Sequence, residues 1–327
     1  MELLMSSMDQ LIDLVRPDFD ALNNLLISQL GSEIDLIEEV TQYLIQSGGK
    51  RVRPLLTIMA ARALFTDNNH HIPLAAAVEC LHTATLFHDD VVDNSTIRRD
   101  QPSANAAFGN SASVLVGDFV YSRAFQMMVS VGHLDVLKLL ADTTNQISEG
   151  EVWQLKNQFR TDVTEAEYNQ VITRKTAVLF EAAAIIPGLI TNQDDLILES
   201  LKTYGLELGF AFQLIDDYLD YEGNEKNIGK NLGDDLADGK CTLPLIHAFK
   251  ELDLDKTTLI QTAIANGDRT RFSEIATIIS KTGSLKYTKE RAFKAAENAK
   301  KALGPLPNSQ FKDGLISLAE LSVSRSN

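Results

Sequence analysis

The chain has 327 residues, of which 44% are hydrophobic and 23% charged, and its formal net charge is −15. This composition is typical of a globular protein that buries a large core. The acidic excess argues against nucleic acid or an anionic membrane as a partner, because both attract stripes of Lys and Arg. The sequence holds 18 Gly and 8 Pro, and this low content favours long helices over turn-rich sheets.

Two cysteines, Cys80 and Cys241, suit a reducing cytosol and do not suggest a disulfide framework. Residues 1–15 carry acidic side chains and lack the basic start of a signal peptide. The apolar stretch 182–190 is too short to span a bilayer. We therefore expect a cytoplasmic protein without a transmembrane segment.

Apolar residues recur with a helical period along the whole chain, and no run keeps the two-residue period of a strand. No linker separates the helices, so the pattern predicts one all-α domain over residues 1–327. Segment 222–239, rich in Gly, Asn and Asp, is predicted to be the one long polar loop. The predicted helices cover about 3–30, 33–47, 52–65, 72–94, 103–131, 134–159, 164–190, 193–221, 240–251, 256–266, 270–281, 284–303 and 308–324.

A short acidic motif occurs twice within apolar helices, as Asp-Asp-Val-Val-Asp at 89–93 and Asp-Asp-Tyr-Leu-Asp at 216–220. The first and last carboxylates of each motif share a helix face. Such a cluster is unfavourable unless a cation fills it, and Mg²⁺ combines carboxylates with substrate phosphates. Two copies in apolar surroundings favour a metal site over a solvated acidic face. A third match at 234–238 lies in the polar loop, and its role stays open.

Basic residues follow the acidic motifs and also join two helices. The stretch 47–54, Ser-Gly-Gly-Lys-Arg-Val-Arg-Pro, concentrates positive charge where glycines allow close approach. By itself it is equally compatible with an anion site and with a basic helix cap. The pair at 98–99 follows the first motif, and arginine forks suit phosphate oxygens. His82 shares a helix face with the first motif, where a diphosphate contact competes with a buried structural role.

Further polar residues are individually weak signals. Lys175 and Thr176 interrupt an apolar helix, Gln213 shares a face with Asp216, and the polar cluster 149–154 is as compatible with a site as with a surface. Glu79-x-x-His82 matches one ligand pair of di-iron bundles, but that site needs a second pair, and the sequence has none.

The chain carries, in this order, the stretch 48–54, the first Asp motif with its Arg pair, Lys-Thr, the Gln-x-x-Asp-Asp-x-x-Asp motif and Gly-Lys. Together these elements resemble the motifs of the trans-isoprenyl diphosphate synthases. The resemblance runs from about residue 37 to the end. The stretches 86–93, 105–110 and 114–118 look most like the bacterial octaprenyl diphosphate synthase branch. Asp100 and Asp238 depart from the usual pattern in loops.

The resemblance implies a helical bundle around a central cavity, usually in a homodimer, and a Mg²⁺-dependent prenyltransferase that condenses isopentenyl diphosphate onto an allylic prenyl diphosphate. It implies a metal cluster on Asp89, Asp93 and Asp216, supported by Asp90, Asp217 and Asp220. The contacts implied for the allylic diphosphate are Arg98, Lys175, Thr176, Gln213, Lys230 and Lys240. Those implied for isopentenyl diphosphate are Lys50, Arg53, His82 and Arg99.

Product length depends on the side chains behind the first motif. Thr85 lies one turn before Asp89, and Ala84 occupies the position that often gates the tail in this family. Both are small, and Cys80, Ala183 and Gly209 could continue an open tunnel. We therefore expect a long product near C40, of the kind that supplies quinone side chains, with a C15–C30 product as the alternative.

Other classes of protein fit less well. A class I terpene cyclase shares one Asp motif but usually has an Asn/Ser/Glu-based second motif. A non-catalytic subunit of a heteromeric synthase usually lacks one Asp motif, and this chain keeps both. A purely structural helical protein would not need carboxylate clusters in apolar helices.

Overall fold

A computed structural model of the protein describes residues 7–46, 48–65, 68–98, 101–222 and 232–324. Most of this part of the chain is helical, and its only strands form one short hairpin, so the predicted all-α class is confirmed. The helices are α1 Met8–Leu14, α2 Arg16–Gln29, α3 Asp35–Gln46, α4 Val52–Ala63, α5 His71–Val92, α6 Ala104–Phe108, α7 Asn110–Val131, α8 Leu134–Asn157, α9 Glu165–Ile172, α10 Val178–Ile190, α11 Asp195–Glu222, α12 Asp234–Ala237, α13 Leu243–Ala248, α14 Leu254–Asn266, α15 Phe272–Lys281, α16 Ser284–Ala302 and α17 Gln310–Val323.

Several predicted helices are divided in the structure. The predicted helix 3–30 breaks at Val15, and α2 then begins at Arg16 with Pro17 in its first turn. The predicted helix 103–131 breaks at Gly109, whose φ of 86° is accessible to glycine at little cost. Two elements were not predicted: the strands Ile97–Arg98 and Gln101–Pro102 pair antiparallel as β1 and β2, and the short helix α12 lies inside the predicted polar loop.

Helix α11 passes through two hydrophobic cores. Its first half, including Leu201 and Tyr204, packs in the larger core with α4, α5, α7 and α10. Its second half, including Leu214 and Tyr218, packs in a smaller core with α9 and α13–α16. The second Asp motif therefore lies in the half of α11 that packs in the smaller core. No helix in the described ranges is both long and apolar enough to cross a membrane.

A π-helical turn, Thr173–Ala177, links α9 to α10 and faces both α8 and α11. A Cβ on Gly150 of α8 would lie 2.8 Å from the Lys175 backbone nitrogen, and one on Gly209 of α11 would lie 2.6 Å from Ala177 Cα. The two glycines therefore permit the close approach of three helices around this turn. Wide turns of this kind occur often at functional sites, and this one carries Lys175 and Thr176.

Candidate active site

A cavity of about 420 Å³ is lined by residues of α5, α8, the π turn and α11, and residues of β1 and α12 also contribute to its wall. Both Asp motifs contribute to its wall, so helices that are distant in sequence bring them together. The charged residues that line the cavity are Arg53, Asp89, Asp93, Arg98, Glu151, Lys175, Asp216, Asp217, Asp220, Asp234, Asp235, Asp238 and Lys240.

The three carboxylates of the first motif point in two directions. Asp89 and Asp93 line the cavity, whereas Asp90 is 2% exposed and turned away from it. The Asp90 carboxylate accepts a hydrogen bond from Arg98 Nε at 2.7 Å, and it forms an ion pair with Arg98 Nη2 at 2.6 Å. Burial raises the pKa of Asp90, and the Arg98 guanidinium opposes that rise. Asp90 thus holds Arg98 of β1, which lines the cavity, and its supporting role at a metal stays a prediction.

All three carboxylates of the second motif line the cavity. Asp217 is also buried, and it accepts hydrogen bonds from the Tyr168 hydroxyl and from Gln213 Nε2, the latter at 2.8 Å. Gln213 in turn accepts from the Thr176 hydroxyl at 3.0 Å. Burial, with the nearby Asp235 carboxylate, raises the pKa of Asp217 to about 8. A hydrogen-bonded chain therefore joins α9, the π turn and α11 behind the second motif.

Two lysines stand between the acidic residues. Lys175 Nζ is 2.6 Å from Glu151 Oε2 and 3.6 Å from Asp89 Oδ2. Lys240 Nζ is 2.8 Å from Asp238 Oδ2 and 3.0 Å from Asp93 Oδ2.

Burial alone would lower the pKa of Lys240, but the carboxylates of Asp235, Asp93 and Asp238 together raise it. Lys240 is therefore a charged ammonium group, and it helps to neutralise the carboxylates of the first motif.

The predicted basic residues do not all reach the cavity. Arg53 and His82 line it, and the Arg53 guanidinium lies 4.3 Å from the centre of the Phe180 ring. Lys50 is exposed and does not line the cavity. Arg99 and Lys230 lie outside the described residues.

Of the two residues expected to control product length, Thr85 lines the cavity and Ala84 does not. Ala84 is fully buried in the larger core. Cys80 and Ala183 belong to the same core, and Gly209 makes the close helix contact described above. None of these three lines the cavity, so the proposed tunnel beyond Thr85 stays a prediction.

The third acidic match contributes to the site. Asp234, Asp235 and Asp238 line the cavity on and just after α12. This loop is tied to α11, because the Gly233 amide donates to Asp220 Oδ1 at 3.2 Å.

Tyr168 and Glu151 are functional candidates with little sequence signal. Tyr168 lies seven residues before Lys175 on a continuing helical path, which is a weak sign of a shared face. Glu151 belongs to the polar cluster 149–154, of which Glu151 and Gln154 line the cavity.

Within the described part of the chain, no three His, Cys, Asp or Glu side chains are arranged to hold a metal ion in this conformation. The chemistry of the donors nevertheless fits a hard divalent cation, because carboxylate oxygens on two facing helices surround the cavity.

Comparison with known proteins agrees with this geometry. The polyprenyl synthetase family model matches residues 34–281. The octaprenyl diphosphate synthase of Escherichia coli K12 is 45% identical over 320 residues, which are 98% of this chain and 99% of that protein. An all-trans-nonaprenyl-diphosphate synthase (geranyl-diphosphate specific) of Rhodobacter capsulatus is 40% identical, over 95% of this chain and 96% of that protein.

The crystal structure of a polyprenyl synthase from Caulobacter crescentus CB15, complexed with calcium and isoprenyl diphosphate, superposes with a TM-score of 0.95. It is 40% identical, and the match covers 98% of each chain. The chain therefore belongs to the polyprenyl synthetase family. The family resemblance stated from the motifs is confirmed, and the enzyme class is that of the prenyltransferases.

Proposed function

We propose that the chain is a trans-polyprenyl diphosphate synthase, which adds isopentenyl diphosphate head to tail onto an allylic prenyl diphosphate. One observation carries this proposal: Asp89 of α5, Asp93 at the end of that helix and Asp216 of α11 line a single cavity whose wall also holds Lys175 and Lys240. Its octaprenyl relatives of 45% identity support the reaction class and a product near C40.

We assign Mg²⁺ as the metal, held by Asp89, Asp93 and Asp216. Asp90, Asp217 and Asp220 would support these ligands through Arg98, through hydrogen bonds or through water. The calcium in the Caulobacter crescentus structure supports the use of a divalent cation in the family. When bound, the metal supplies positive charge that stabilises the leaving diphosphate.

The chain's own cations complete the diphosphate sites. Lys175 and Lys240 line the cavity, and Thr176, Gln213 and Arg98 line it as well. We assign these five to the allylic diphosphate, with Lys230 as a further expected contact. Arg53 and His82, together with Lys50 and Arg99, are assigned to isopentenyl diphosphate.

These residues promote breakage of the allylic C–O bond, because fixed donors in a partly closed cavity stabilise the charge that develops on diphosphate. The double bond of isopentenyl diphosphate then attacks the allylic carbocation, and a proton is lost to the released diphosphate, which is the expected base. The reaction requires no Ser or Cys nucleophile. Each cycle lengthens the allylic chain by one five-carbon unit.

The tail of the growing product needs more room than the cavity offers. A volume of about 420 Å³ is that of a small-ligand pocket. A C40 tail therefore requires a route past Thr85 into the space between α5 and its neighbours. The small side chains of Thr85 and Ala84 support such a route.

Three further expectations accompany the function. We propose that the chain forms one domain, since α11 runs through both hydrophobic cores. A homodimer rests on the family resemblance. A cytoplasmic location is supported by the two free cysteines.

The test is to incubate the purified protein with farnesyl diphosphate, isopentenyl diphosphate and Mg²⁺, and to size the products by mass spectrometry. A ladder ending near C40 is expected. A stop at C15–C20 would retain the enzyme class and overturn the assigned chain length. Absence of elongation by folded protein would favour a non-catalytic subunit of a heteromeric synthase.

A further inference from the structure

Among the described residues, each lysine of the cavity forms ion pairs with two acids, and in both cases the nearer acid lies outside the two Asp motifs. Lys175 Nζ is 2.6 Å from Glu151 but 3.6 Å from Asp89. Lys240 Nζ is 2.8 Å from Asp238 and 3.0 Å from Asp93. The two acids come from different elements, Glu151 from α8 and Asp238 from the end of α12. The same arrangement is therefore built twice around one cavity.

Glu151 and Asp238 are unexpected in a site for diphosphates. Their side chains are 28% and 25% exposed, and both line a cavity whose ligands are anions. A carboxylate beside a bound anion weakens its binding unless it does something else. The contact distances indicate a role for each acid, because each one binds the ammonium group of a lysine that is assigned to the diphosphate.

Each lysine needs an acidic partner outside the Asp motifs, because metal and lysine compete for the carboxylates of the first motif. A divalent metal held by Asp89 and Asp93 would compete with Lys175 and Lys240 for these motif carboxylates. A lysine has a flexible four-carbon stem, and an ammonium group without a fixed partner samples many positions. Glu151 and Asp238 remain available, so each lysine keeps its place at the cavity wall.

We propose that Glu151 and Asp238 are positioning residues that retain Lys175 and Lys240 at the diphosphate site while the motif carboxylates bind metal. This inference rests on the proposed function. Its two acids act through the lysines and do not touch the substrate. Glu151 and Asp238 carry negative charge, so neutralising them should strengthen the binding of an anion if their effect is purely electrostatic. If they position the lysines, neutralising them should weaken that binding.

The experiment measures binding of inorganic pyrophosphate to the full chain by calorimetry in saturating Mg²⁺, for wild type, E151Q and D238N. Loss of a charge-assisted hydrogen bond that positions the lysine is expected to weaken pyrophosphate about tenfold in each variant. Unchanged or tighter binding would overturn the proposal, because removing a negative charge should by itself favour the anion.

Glu149→Gln is the matched control, since it makes the same change two residues away on α8. The Glu149 side chain is 60% exposed, does not line the cavity and should leave pyrophosphate binding unchanged. E151Q should also add no further loss in a Lys175→Met background, where it has no lysine to hold. An equal additional loss there would indicate general damage and overturn the assignment.

Different results would contradict the proposed function and the positioning role of Glu151 and Asp238. Wild-type protein that neither binds pyrophosphate with Mg²⁺ nor elongates farnesyl diphosphate would contradict the proposed function. Active wild type with fully competent E151Q and D238N would contradict only the positioning role. Thermal unfolding of each variant identifies loss of folding, and the two variants test the idea independently because they lie on separate elements.

Discussion

Lys240 lies 147 residues beyond Asp93 in the chain, yet its ammonium group donates to the Asp93 carboxylate at 3.0 Å. The contact joins the end of α5 to the segment that follows α12. In this conformation the lysine partly neutralises the first motif, and a metal held by Asp93 would compete with it for this carboxylate. Metal binding and lysine placement are therefore linked at this carboxylate.

Replacing Lys240 with Met should change two affinities in opposite directions. Without the lysine, Mg²⁺ alone should bind more tightly, because no ammonium group competes for Asp93. Pyrophosphate in saturating Mg²⁺ should bind about tenfold more weakly, because one cationic contact is lost. Calorimetric titrations measure both. Lys250→Met is the control, since Lys250 is 56% exposed and pairs with Glu165 instead. Weaker binding of Mg²⁺ alone to K240M would contradict the competition.

Asp89→Asn should reduce kcat for isopentenyl diphosphate condensation by about 10²–10³, the usual effect of removing one group that stabilises transition-state charge. The amide keeps the size of the side chain but is a poor ligand for Mg²⁺. Steady-state kinetics with farnesyl diphosphate measures the loss. Asp118→Asn makes the same change on a side chain that is 65% exposed and outside the cavity, so its kcat should equal that of wild type. Equal loss in both variants would argue against a metal-binding role for Asp89.

Tyr168→Phe removes the hydroxyl that donates to the buried Asp217 carboxylate. Loss of a partner to a buried group should cost about 1–3 kcal/mol in the free energy of unfolding. It should also lower kcat about tenfold, because Asp217 orients Gln213 and lies beside Asp216.

Tyr204→Phe provides a matched comparison for that variant. Its hydroxyl is equally buried but donates to the Leu315 carbonyl at 2.7 Å, away from the cavity. Urea unfolding should show a loss for both variants, whereas kcat should fall only for Tyr168→Phe. A similar fall in kcat for both would mean that Tyr168 acts through stability alone.

The sequence was sufficient to predict the helical class and both Asp motifs, because helical periodicity and spacing are local properties. The same periodicity puts Asp89 and Asp93 on one face and Asp90 off it, which the structure bears out. The partner of Asp90 could not be predicted, since its contact with Arg98 depends on the turn into the β1–β2 hairpin.

Contacts between elements that are distant in the chain could not be predicted from the sequence alone. The π turn that carries Lys175 has the same residue pattern as an ordinary helix, so its wider geometry emerges only when Gly150 and Gly209 let three helices approach. The pairing of Glu151 with Lys175 follows from that approach. Short helices such as α12 likewise have too few residues to show a period.

Thr85→Phe should shorten the product to about C15–C20, because the ring would fill the end of the cavity that Thr85 lines. Ala84→Phe tests the neighbouring position, where the side chain is fully buried and an aromatic ring must displace core packing at about 1–3 kcal/mol. Mass spectrometry of the products distinguishes the two positions. A full-length ladder from a folded Thr85→Phe enzyme would exclude a tail route past this residue, and the same result with Ala84→Phe would remove its proposed role.

His71 makes the protein less stable in mild acid. Its side chain is fully buried at the start of α5, with Nε2 3.5 Å from Asp18, and Asp18 also accepts two hydrogen bonds of 2.5 Å from Arg62. Burial lowers the pKa of His71, and the Asp18 carboxylate only partly opposes this effect. The unfolded chain therefore binds a proton near pH 6 that the folded protein does not bind.

The free energy of unfolding should thus be independent of this group above about pH 7 and should fall as the pH drops below about 6.5, by at most about 1.4 kcal/mol per pH unit. Urea unfolding between pH 7.5 and 5.5 measures the slope, and His71→Gln should reduce it. His70→Gln is the control, because His70 is exposed and adjacent in sequence. If His71→Gln left the slope unchanged while His70→Gln reduced it, the acid sensitivity would belong to the surface and not to the buried contact between α2 and α5.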